Sequence, residues 1–274
     1  MSPILGQTTA EIFLRDYWQQ KPLLIRHALT GFTSPISPDE LAGLSLEEDI
    51  ESRIVTCSNG KYQVQYGPLN EDIFKDLPEQ DWTLMVQAVD REIPEVEALI
   101  DHFSFLPRWR VDDIMVSYAT TGGGVGPHFD FYDVFLLQVE GRREWKVGQI
   151  CNGETELVEN DQLKLVKQFD ESECWVLDPG DMLYLPPKLA HWGTAIDECL
   201  TYSIGFRAPT IAEILGDLAI DLTGTSEDRY YRDPPLTPEM AQGEIDDAFV
   251  RQVQALLQDV VDDKELIREW LRQY

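Results

Sequence analysis

The sequence predicts a mainly β protein whose core is a β-sandwich or jelly roll, with helical arms at both ends. From about Arg110 the chain runs through short segments of alternating apolar and polar residues, separated by glycine- and proline-containing turns. Such segments are typical of all-β sandwiches. Helical patterns with capping residues lie before and after this region. A chain of 274 residues with 43% hydrophobic composition can bury one large core and carry appendages.

These changes of periodicity divide the chain into three parts. Residues 1–109 are expected to form an N-terminal arm of helices and strands that contributes to the core. Residues 110–209 are expected to form the β core itself, and residues 210–274 an α-rich C-terminal module.

The N-terminal arm begins with two predicted helices. Residues 8–11 fit a capping box, in which a hydroxyl and a glutamate satisfy the first backbone N–H groups of a helix. An apolar stripe at helical spacing follows, namely Ile12, Phe13, Tyr17 and Trp18. Residues 37–40 form a second capping box with Pro38 at the first helical position. Between the two helices, residues 23–25 indicate a short strand.

The rest of the arm is predicted to be a hairpin and a helical segment. Residues 51–66 alternate on both sides of Ser58-Asn59-Gly60. An Asn-Gly pair between alternating runs is the strongest local signal of a β-hairpin. Residues 81–105 carry apolar residues at helical spacing, so we expect a helix there.

The alternating pattern of the core region predicts six strands. The alternating segments are 112–120, 128–139, 142–148, 174–177, 181–186 and 199–207. Beyond them we expect a helix over residues 211–222, a polar linker over 224–238, and a further helix start at Thr237-Pro238-Glu239.

One segment of the core combines a glycine-rich entry loop with potential metal ligands, the sequence Gly-Pro-His-Phe-Asp-Phe-Tyr of residues 126–132. Side chains at i, i+2 and i+4 of a strand share a face, so His128, Asp130 and Tyr132 should point the same way. A second imidazole, His191, follows the strand that ends at two prolines. Two histidines and one carboxylate form the facial triad of non-haem Fe(II) oxygenases. The alternative is a His–Asp hydrogen bond inside the core.

Arg143 is predicted to face inward near this triad. One face of the segment 142–148 is wholly charged, whereas Arg143 shares the other face with Trp145 and Val147. A buried guanidinium requires a bidentate anionic partner. Near an iron triad the natural partner is the distal carboxylate of 2-oxoglutarate, and an internal ion pair with a protein carboxylate is the alternative.

The balance of charged residues indicates which kinds of molecule the protein can bind. Asp and Glu number 50 against 22 Lys and Arg, which gives a formal net charge of −28. Such a field repels nucleic acid and anionic membranes and attracts basic partners, although salt adaptation or plain solubility would give the same composition. We expect no membrane helix and no secretory signal. The four cysteines lack metal-binding spacing, which indicates reduced thiols and a cytoplasmic location.

Several of these motifs together resemble a known family. The segments that carry the likeness are 126–135, 141–143, 186–191 and 202–209, and the likeness extends to 17–22 and 37–44. In combination they are similar to the bacterial cupin-like, JmjC-type ribosomal oxygenases, especially the YcfD-type arginine hydroxylases of protein sixteen of the large ribosomal subunit. The likeness covers most of the chain and weakens in the C-terminal helices.

The resemblance implies a double-stranded β-helix core of the cupin and JmjC type, a helical dimerisation region and a C-terminal winged-helix-like module. It also implies that O2 and 2-oxoglutarate are cosubstrates. The site residues expected on this basis are His128, Asp130 and His191 for Fe(II), and Arg143, Ser117 and Ser203 for 2-oxoglutarate. The alternative interpretation of Ser203 is that of a small packing residue.

The function that the resemblance implies is an Fe(II)- and 2-oxoglutarate-dependent hydroxylase, an arginine 3-hydroxylase of a large-subunit ribosomal protein. Tyr132 and Asp133 are the candidates to hold the substrate guanidinium, although Asp133 points away from Tyr132 in an ideal strand. One alternative is a histidine hydroxylase of another ribosomal protein, and a second is a non-catalytic cupin-like binding module. The expected partners are a basic ribosomal protein and a second copy in a homodimer, with neither free nucleic acid nor membrane.

Overall fold

The computed structural model describes residues 4–159, 162–223, 230–237 and 245–273. The chain divides into two compact units, one ending at Ala208 and the other beginning at Pro209. Residues 238 and 239 of the predicted helix start lie outside the described residues, as does the first part of the predicted linker. No helix in the described ranges is long and apolar enough to cross a membrane.

The first unit is built mainly from β-strands. In chain order the strands are Leu23–Ile25 (β1), Ser52–Ser58 (β2), Lys61–Tyr66 (β3), Trp82–Val86 (β4), Val111–Ala119 (β5), Asp133–Glu140 (β6), Arg143–Ile150 (β7), Glu173–Leu177 (β8), Met182–Leu185 (β9), Leu189–Ala195 (β10) and Cys199–Phe206 (β11). They form an eight-stranded sheet in the order β1-β9-β6-β11-β5-β4-β2-β3 and a three-stranded sheet in the order β10-β7-β8. Leu136 on β6, Trp145 on β7 and Leu183 on β9 pack in one cluster between the sheets. The predicted jelly-roll core is therefore confirmed.

The helices are short in the first unit and longer in the second. The first unit contains Ala10–Asp16 (α1), Pro38–Leu44 (α2), Ile73–Asp76 (α3) and Pro94–Glu97 (α4), and the second contains Ile211–Thr223 (α5), Asp247–Asp262 (α6) and Lys264–Gln273 (α7). Three 3-10 segments lie at Val89–Arg91, Ala98–Phe103 and Arg108–Arg110.

The arm covers the outer face of the large sheet, which is the face away from the small sheet. The Phe13 ring of α1 packs 5.6 Å from the Phe135 ring and 4.9 Å from the Tyr184 ring, measured between centroids. Residues of β6 are consequently buried on both faces, and all but its last residue are buried. This double burial explains why β6 has a nearly continuous apolar sequence.

Two of the helix and hairpin predictions are confirmed and one is displaced by a residue. Ser37 caps α2 in a complete capping box with Glu40. The hairpin turn at Asn59-Gly60 has both residues at positive φ, 52° and 74°, as a type I′ turn requires. The first helix, however, is capped by Thr9, whose Oγ1 accepts from the backbone N–H of Ile12 at 3.2 Å. Ile12 is 38% exposed and does not belong to the buried stripe.

The predicted helix over residues 81–105 is wrong in its first part. Residues 82–86 form β4, which pairs with β2 on one side and β5 on the other. Pairing on both edges outweighs the helical spacing of a short apolar run. The remainder of the segment forms the short helix α4 and two of the 3-10 segments.

The strand predicted over 128–139 is also shorter than expected, since regular pairing begins only at Asp133. Upstream of it, His128 forms an isolated bridge with His191. Strand β10 was not predicted, because Ala190, Gly193 and Ala195 replace the large and β-branched residues that usually indicate a strand.

A buried carboxylate joins the arm to the core. Asp133 is 0% exposed. It accepts hydrogen bonds from the Tyr184 hydroxyl at 2.6 Å, from Gln19 Nε2 at 3.1 Å and from Arg110 Nη2 at 3.1 Å. Burial raises the pKa of Asp133, and these three donors oppose that shift. The carboxylate thus links the segment after α1 with β6 and β9.

We expect the substitution Asp133→Ala to lower the free energy of unfolding by about 3 kcal/mol, because it leaves the largely buried Arg110 guanidinium without its anion. Chemical denaturation measures this loss. The matched control Asp178→Ala removes an exposed carboxylate and should change the free energy by less than about 0.5 kcal/mol. Equal small effects in the two variants would show that the Asp133 network does not hold the arm to the core.

Candidate metal centre and ligand pocket

Two imidazoles and one carboxylate converge on one wall of a cavity between the two sheets. Potential ligand atoms of His128, Asp130 and His191 all lie within 4.8 Å of one another. Oδ2 of Asp130 is 3.6 Å from Nε2 of His191 and 4.0 Å from Nε2 of His128. The structure therefore brings together the three residues that the sequence predicted as a facial triad.

Backbone hydrogen bonds fix the orientation of both imidazoles. Nδ1 of His128 lies 2.9 Å from the carbonyl of Gly126, and Nδ1 of His191 lies 2.9 Å from the carbonyl of Leu189. A carbonyl can only accept, so each Nδ1 carries the proton and each Nε2 presents a free lone pair. Metal-bound histidines are held in the same way by a partner on the other ring nitrogen.

The protonation state of His191 also suits a metal ligand. Burial, together with the charge of His128, lowers the pKa of His191 to about 4. The imidazole is thus neutral near neutral pH, and metal ligation requires the neutral form. The donor set of two imidazoles and one carboxylate fits Fe(II).

Backbone pairing builds the centre from two separate segments. The N–H of His128 donates to the carbonyl of His191 at 3.0 Å, and the N–H of His191 donates back at 2.8 Å. The N–H of Lys188 donates to the carbonyl of Asp130 at 2.6 Å. These bonds hold the segment that carries His128 and Asp130 against β10.

The cavity has a volume of about 330 Å³. The large sheet lines it with alternate side chains of β4, β5 and β11, such as Met85, Ser117 and Thr201, which are paired across the three strands. The small sheet contributes Arg143 and Trp145 of β7. The metal centre and Arg143 therefore face the same enclosed space.

Arg143 is a buried cation that lacks an anion among the residues that the structure describes. The residue is 3% exposed, and its Nε has no hydrogen-bond partner. Its guanidinium lies 5.1 Å above the Trp145 ring and beside the Cys199 thiol. Burial lowers the pKa of Arg143, and no described carboxylate forms an ion pair with it. Because an unpaired buried charge is strongly unfavourable, this arrangement favours a ligand carboxylate over the internal ion pair.

Gly193 makes room for these two side chains. It lies opposite Trp145 in the register of β10 and β7. A Cβ at this position would lie 2.6 Å from the Trp145 ring and 2.9 Å from Nε of Arg143. Any larger residue would displace the arginine or the indole from the cavity wall.

The remaining predicted site residues fall into two groups. Ser117, Ser203 and Tyr132 line the cavity, and Oγ of Ser117 donates to the carbonyl of Thr201 at 3.3 Å. The prediction that Asp133 contacts the substrate is wrong. Strand alternation places Asp133 on the outer face, where Tyr184, Gln19 and Arg110 occupy its carboxylate.

Sequence reasoning missed the carboxylates of Asp112 and Asp113, which line the cavity at the start of β5. Oδ2 of Asp113 accepts from the N–H of Ala88 at 2.8 Å. Burial, with smaller contributions from Asp112 and Asp90, raises the pKa of Asp113 to about 6. The alternation of β5 could have revealed this residue, because Asp113 shares a face with Ser117.

Comparison with known proteins agrees with this geometry. A family model described as the JmjC domain matches residues 98–214. The chain is 36% identical over 263 residues to the Escherichia coli ribosomal protein uL16 3-hydroxylase, covering 96% of this chain and 70% of that protein. It is 38% identical to a probable ribosomal oxygenase of Haemophilus influenzae, covering 94% of this chain and 65% of that protein. The chain thus spans about two thirds of the length of these relatives.

Solved structures give the same result. A crystal structure of Escherichia coli YcfD matches with a TM-score of 0.85 at 36% identity, covering 97% of this chain and 71% of that one. A structure of YcfD in complex with cobalt and 2-oxoglutarate matches with a TM-score of 0.82 at 35% identity, covering 97% of this chain and 70% of that one.

The fold and the His-Asp-His cluster define a JmjC-domain protein. Within that class, the extent and identity of the matches show that the chain belongs to the ribosomal oxygenase family.

We expect Asp130→Ala to abolish stable binding of Mn(II), used as a redox-inert substitute for Fe(II), in isothermal titration calorimetry. Removal of a metal-binding side chain should weaken metal affinity by more than the roughly 10- to 100-fold that follows when such a side chain loses its hydrogen-bond partner. Asp178→Ala is the matched control and should bind Mn(II) as the unmodified protein does. Unchanged affinity in Asp130→Ala would remove this carboxylate from the centre.

Proposed function

We propose that this chain is an Fe(II)- and 2-oxoglutarate-dependent hydroxylase that acts on an arginine of ribosomal protein uL16. The observation that carries the proposal is the guanidinium of Arg143, which has no anion among the described residues and faces the same cavity as the His-Asp-His cluster. A dicarboxylic 2-oxo acid can present its keto-acid end to the metal and its distal carboxylate to Arg143. The Escherichia coli relative is named a uL16 3-hydroxylase, and YcfD has been solved with cobalt and 2-oxoglutarate.

The residues of this chain would supply binding, orientation and a dry site. His128, Asp130 and His191 would hold Fe(II), which when bound supplies the oxidative chemistry with O2 and 2-oxoglutarate. Arg143 and Ser117 would orient the cosubstrate from the opposite end of the cavity. Such fixed positioning is the main contribution that a protein makes to a cofactor reaction.

Asp113 and Tyr132 would hold the substrate side chain. Desolvation, and then the charges of Asp130 and Asp113, raise the pKa of the Tyr132 hydroxyl, which indicates that Asp113 lies near it. A carboxylate beside an aromatic ring suits a guanidinium, because the carboxylate accepts its N–H groups and the ring attracts its charge. This pair replaces Asp133 as the proposed source of negative charge.

The carboxylates also favour arginine over the histidine alternative. A guanidinium is charged at every physiological pH, whereas an imidazole is mostly neutral near pH 7. Burying Asp113 against a permanent cation is therefore more favourable than burying it against a neutral ring. A non-catalytic module could also use Arg143 to bind an anion, so the formation of succinate distinguishes it from the enzyme.

We also propose a basic substrate protein, a cytoplasmic location and a homodimer. The net charge of −28 would attract a basic ribosomal protein, and a ribosomal substrate implies a cytoplasmic location. Helix α5 exposes Ile211, Leu215 and Ile220, which would be buried by a second copy in a homodimer. The C-terminal winged-helix-like module and the absence of nucleic-acid binding stay predictions.

The direct test is mass spectrometry of ribosomal proteins after incubation with the protein, Fe(II), ascorbate and 2-oxoglutarate. We expect one added oxygen on an arginine of uL16 and a matching yield of succinate. An added oxygen on a histidine of another ribosomal protein would support the histidine alternative. Release of no succinate with any ribosomal protein would support the binding-module alternative.

The raised pKa of Asp113 predicts a pH-dependent affinity for the arginine substrate. Its carboxyl becomes neutral as pH falls through about 6, so KM for a uL16 peptide should rise below that pH. Asp113→Asn should raise KM at pH 7.5 by roughly 10- to 100-fold, the effect of losing a hydrogen bond to a charged group, and should flatten this pH dependence. Asp76→Asn, at an exposed position, is the control. A KM in Asp113→Asn equal to that of the control would exclude Asp113 from substrate binding.

A further inference from the structure

Strand β4 contributes a buried hydroxyl to the cavity. Thr83 is 1% exposed and lines the cavity, and its buried Oγ1 has no hydrogen-bond partner within the described ranges. A buried hydroxyl without a partner destabilises the folded protein, so its retention calls for an acceptor supplied from elsewhere. Thr83 lies outside the residues 98–214 that match the JmjC domain.

The strand register places Thr83 at the level of Arg143. Thr83 pairs with Ala119 of β5, and Ala119 pairs with Cys199 of β11. Directly paired residues present their side chains on the same face of a sheet. The guanidinium of Arg143 lies beside the thiol of this same Cys199. Thr83 and Arg143 therefore face the same end of the cavity from its two opposite walls.

Glycines bring the two walls close together at this end. A Cβ at Gly123 would lie 2.2 Å from the carbonyl oxygen of Trp82, the residue before Thr83. A Cβ at Gly124 would lie 2.3 Å from the carbonyl oxygen of Gly193. Gly193 in turn abuts Arg143, as described above. One short loop thus contacts both the strand that carries Thr83 and the strand against which Arg143 packs.

We propose that Oγ1 of Thr83 donates a hydrogen bond to the distal carboxylate of the cosubstrate, beside the guanidinium of Arg143. The inference rests on the proposed function, because the ligand is the 2-oxo dicarboxylic acid proposed there. A carboxylate offers about four acceptor positions, more than one guanidinium edge can fill. The arm strand β4 therefore completes a site whose other residues belong to the JmjC core, and it makes the site selective for a dicarboxylate.

Besides Thr83 and Arg143, the described cavity lining holds two unpartnered donors, Nε of Arg53 and Nε1 of Trp145. Arg53 pairs with Met85 and so lies at the level of Ser117, away from the level of Cys199 and Arg143. Nε1 of Trp145 also lacks a partner, but the Trp145 ring lies 6.0 Å from the His191 ring, between the metal centre and Arg143. The Trp145 ring therefore lies nearer the metal centre, whereas Thr83 lies at the level of Arg143.

The test compares two ligands in three variants of the full chain loaded with Mn(II). Thr83→Val removes the hydroxyl and keeps the side-chain shape, Thr83→Ser keeps the hydroxyl, and Thr56→Val makes the same change on β2 away from the cavity. Affinity is measured for 2-oxoglutarate and for 2-oxopentanoate, which has the same chain length without the distal carboxylate. We expect Thr83→Val to weaken the binding of 2-oxoglutarate at least about tenfold, which is the effect of losing one hydrogen bond to a charged group. The affinity for 2-oxopentanoate should be unchanged. Thr83→Ser and Thr56→Val should bind both ligands normally.

A second measurement separates ligand binding from a structural role. Without ligand, Thr83→Val should unfold at the same temperature as the unmodified protein or a higher one, because the substitution removes an unpaired buried hydroxyl. A lower unfolding temperature, or an equal loss of affinity for both ligands, would overturn the proposal in favour of packing. Unchanged affinity for 2-oxoglutarate would also overturn it. If the unmodified protein fails to bind 2-oxoglutarate, the proposed function fails, and the inference fails with it.

Discussion

A guanidinium group buried without an anion from the described residues is the constraint on which the site depends. Arg143 lies in the wall of the cavity with an unpartnered Nε, and the residues around it are arranged to keep it there. Trp145 packs against the guanidinium, and Gly193 leaves the space that both side chains need. The free energy lost by burying this charge is recovered only when an anion enters the cavity. The buried charge of Arg143 thus destabilises the protein without ligand and favours the binding of an anionic ligand.

The jelly roll places this cation at a fixed distance from the metal centre. Arg143 and Trp145 belong to β7, and His191 belongs to the adjacent strand β10, so the backbone ladder of the small sheet sets their separation. His128 is tied to His191 by two backbone hydrogen bonds. A ligand with two acidic ends must therefore match a spacing that the sheet determines, and flexible side chains contribute little to it.

The arm has both a structural role and, in our proposal, a role in the site. Its helix α1 buries the outer face of the large sheet, and Asp133 joins the two through hydrogen bonds from Gln19 and Arg110. Its strand β4 extends the inner face and brings Thr83 to the cavity. This division of roles follows from the alternation of strands, since one face of the large sheet packs on the arm and the other faces the ligand.

Local patterns in the sequence predicted much of the fold and the site. The capping box at Ser37 and the Asn59-Gly60 turn are contained within a few residues, and both are present in the structure. Alternation alone was sufficient to place Arg143 inward. The strand nature of β4 was missed, because it depends on pairing with β2 and β5, which are distant in sequence. For the same reason, the sequence could not show that Thr83 meets the residues of the JmjC core.

The central claim is that one ligand is held at both ends, by a metal ion and by Arg143. The most direct measurement is the Kd of 2-oxoglutarate by isothermal titration calorimetry with and without Mn(II), together with the Kd of Mn(II) with and without 2-oxoglutarate. Reciprocal coupling requires each ligand to lower the Kd of the other by the same factor. The account predicts a shared factor well above one, whereas independent binding of the two ligands would contradict it.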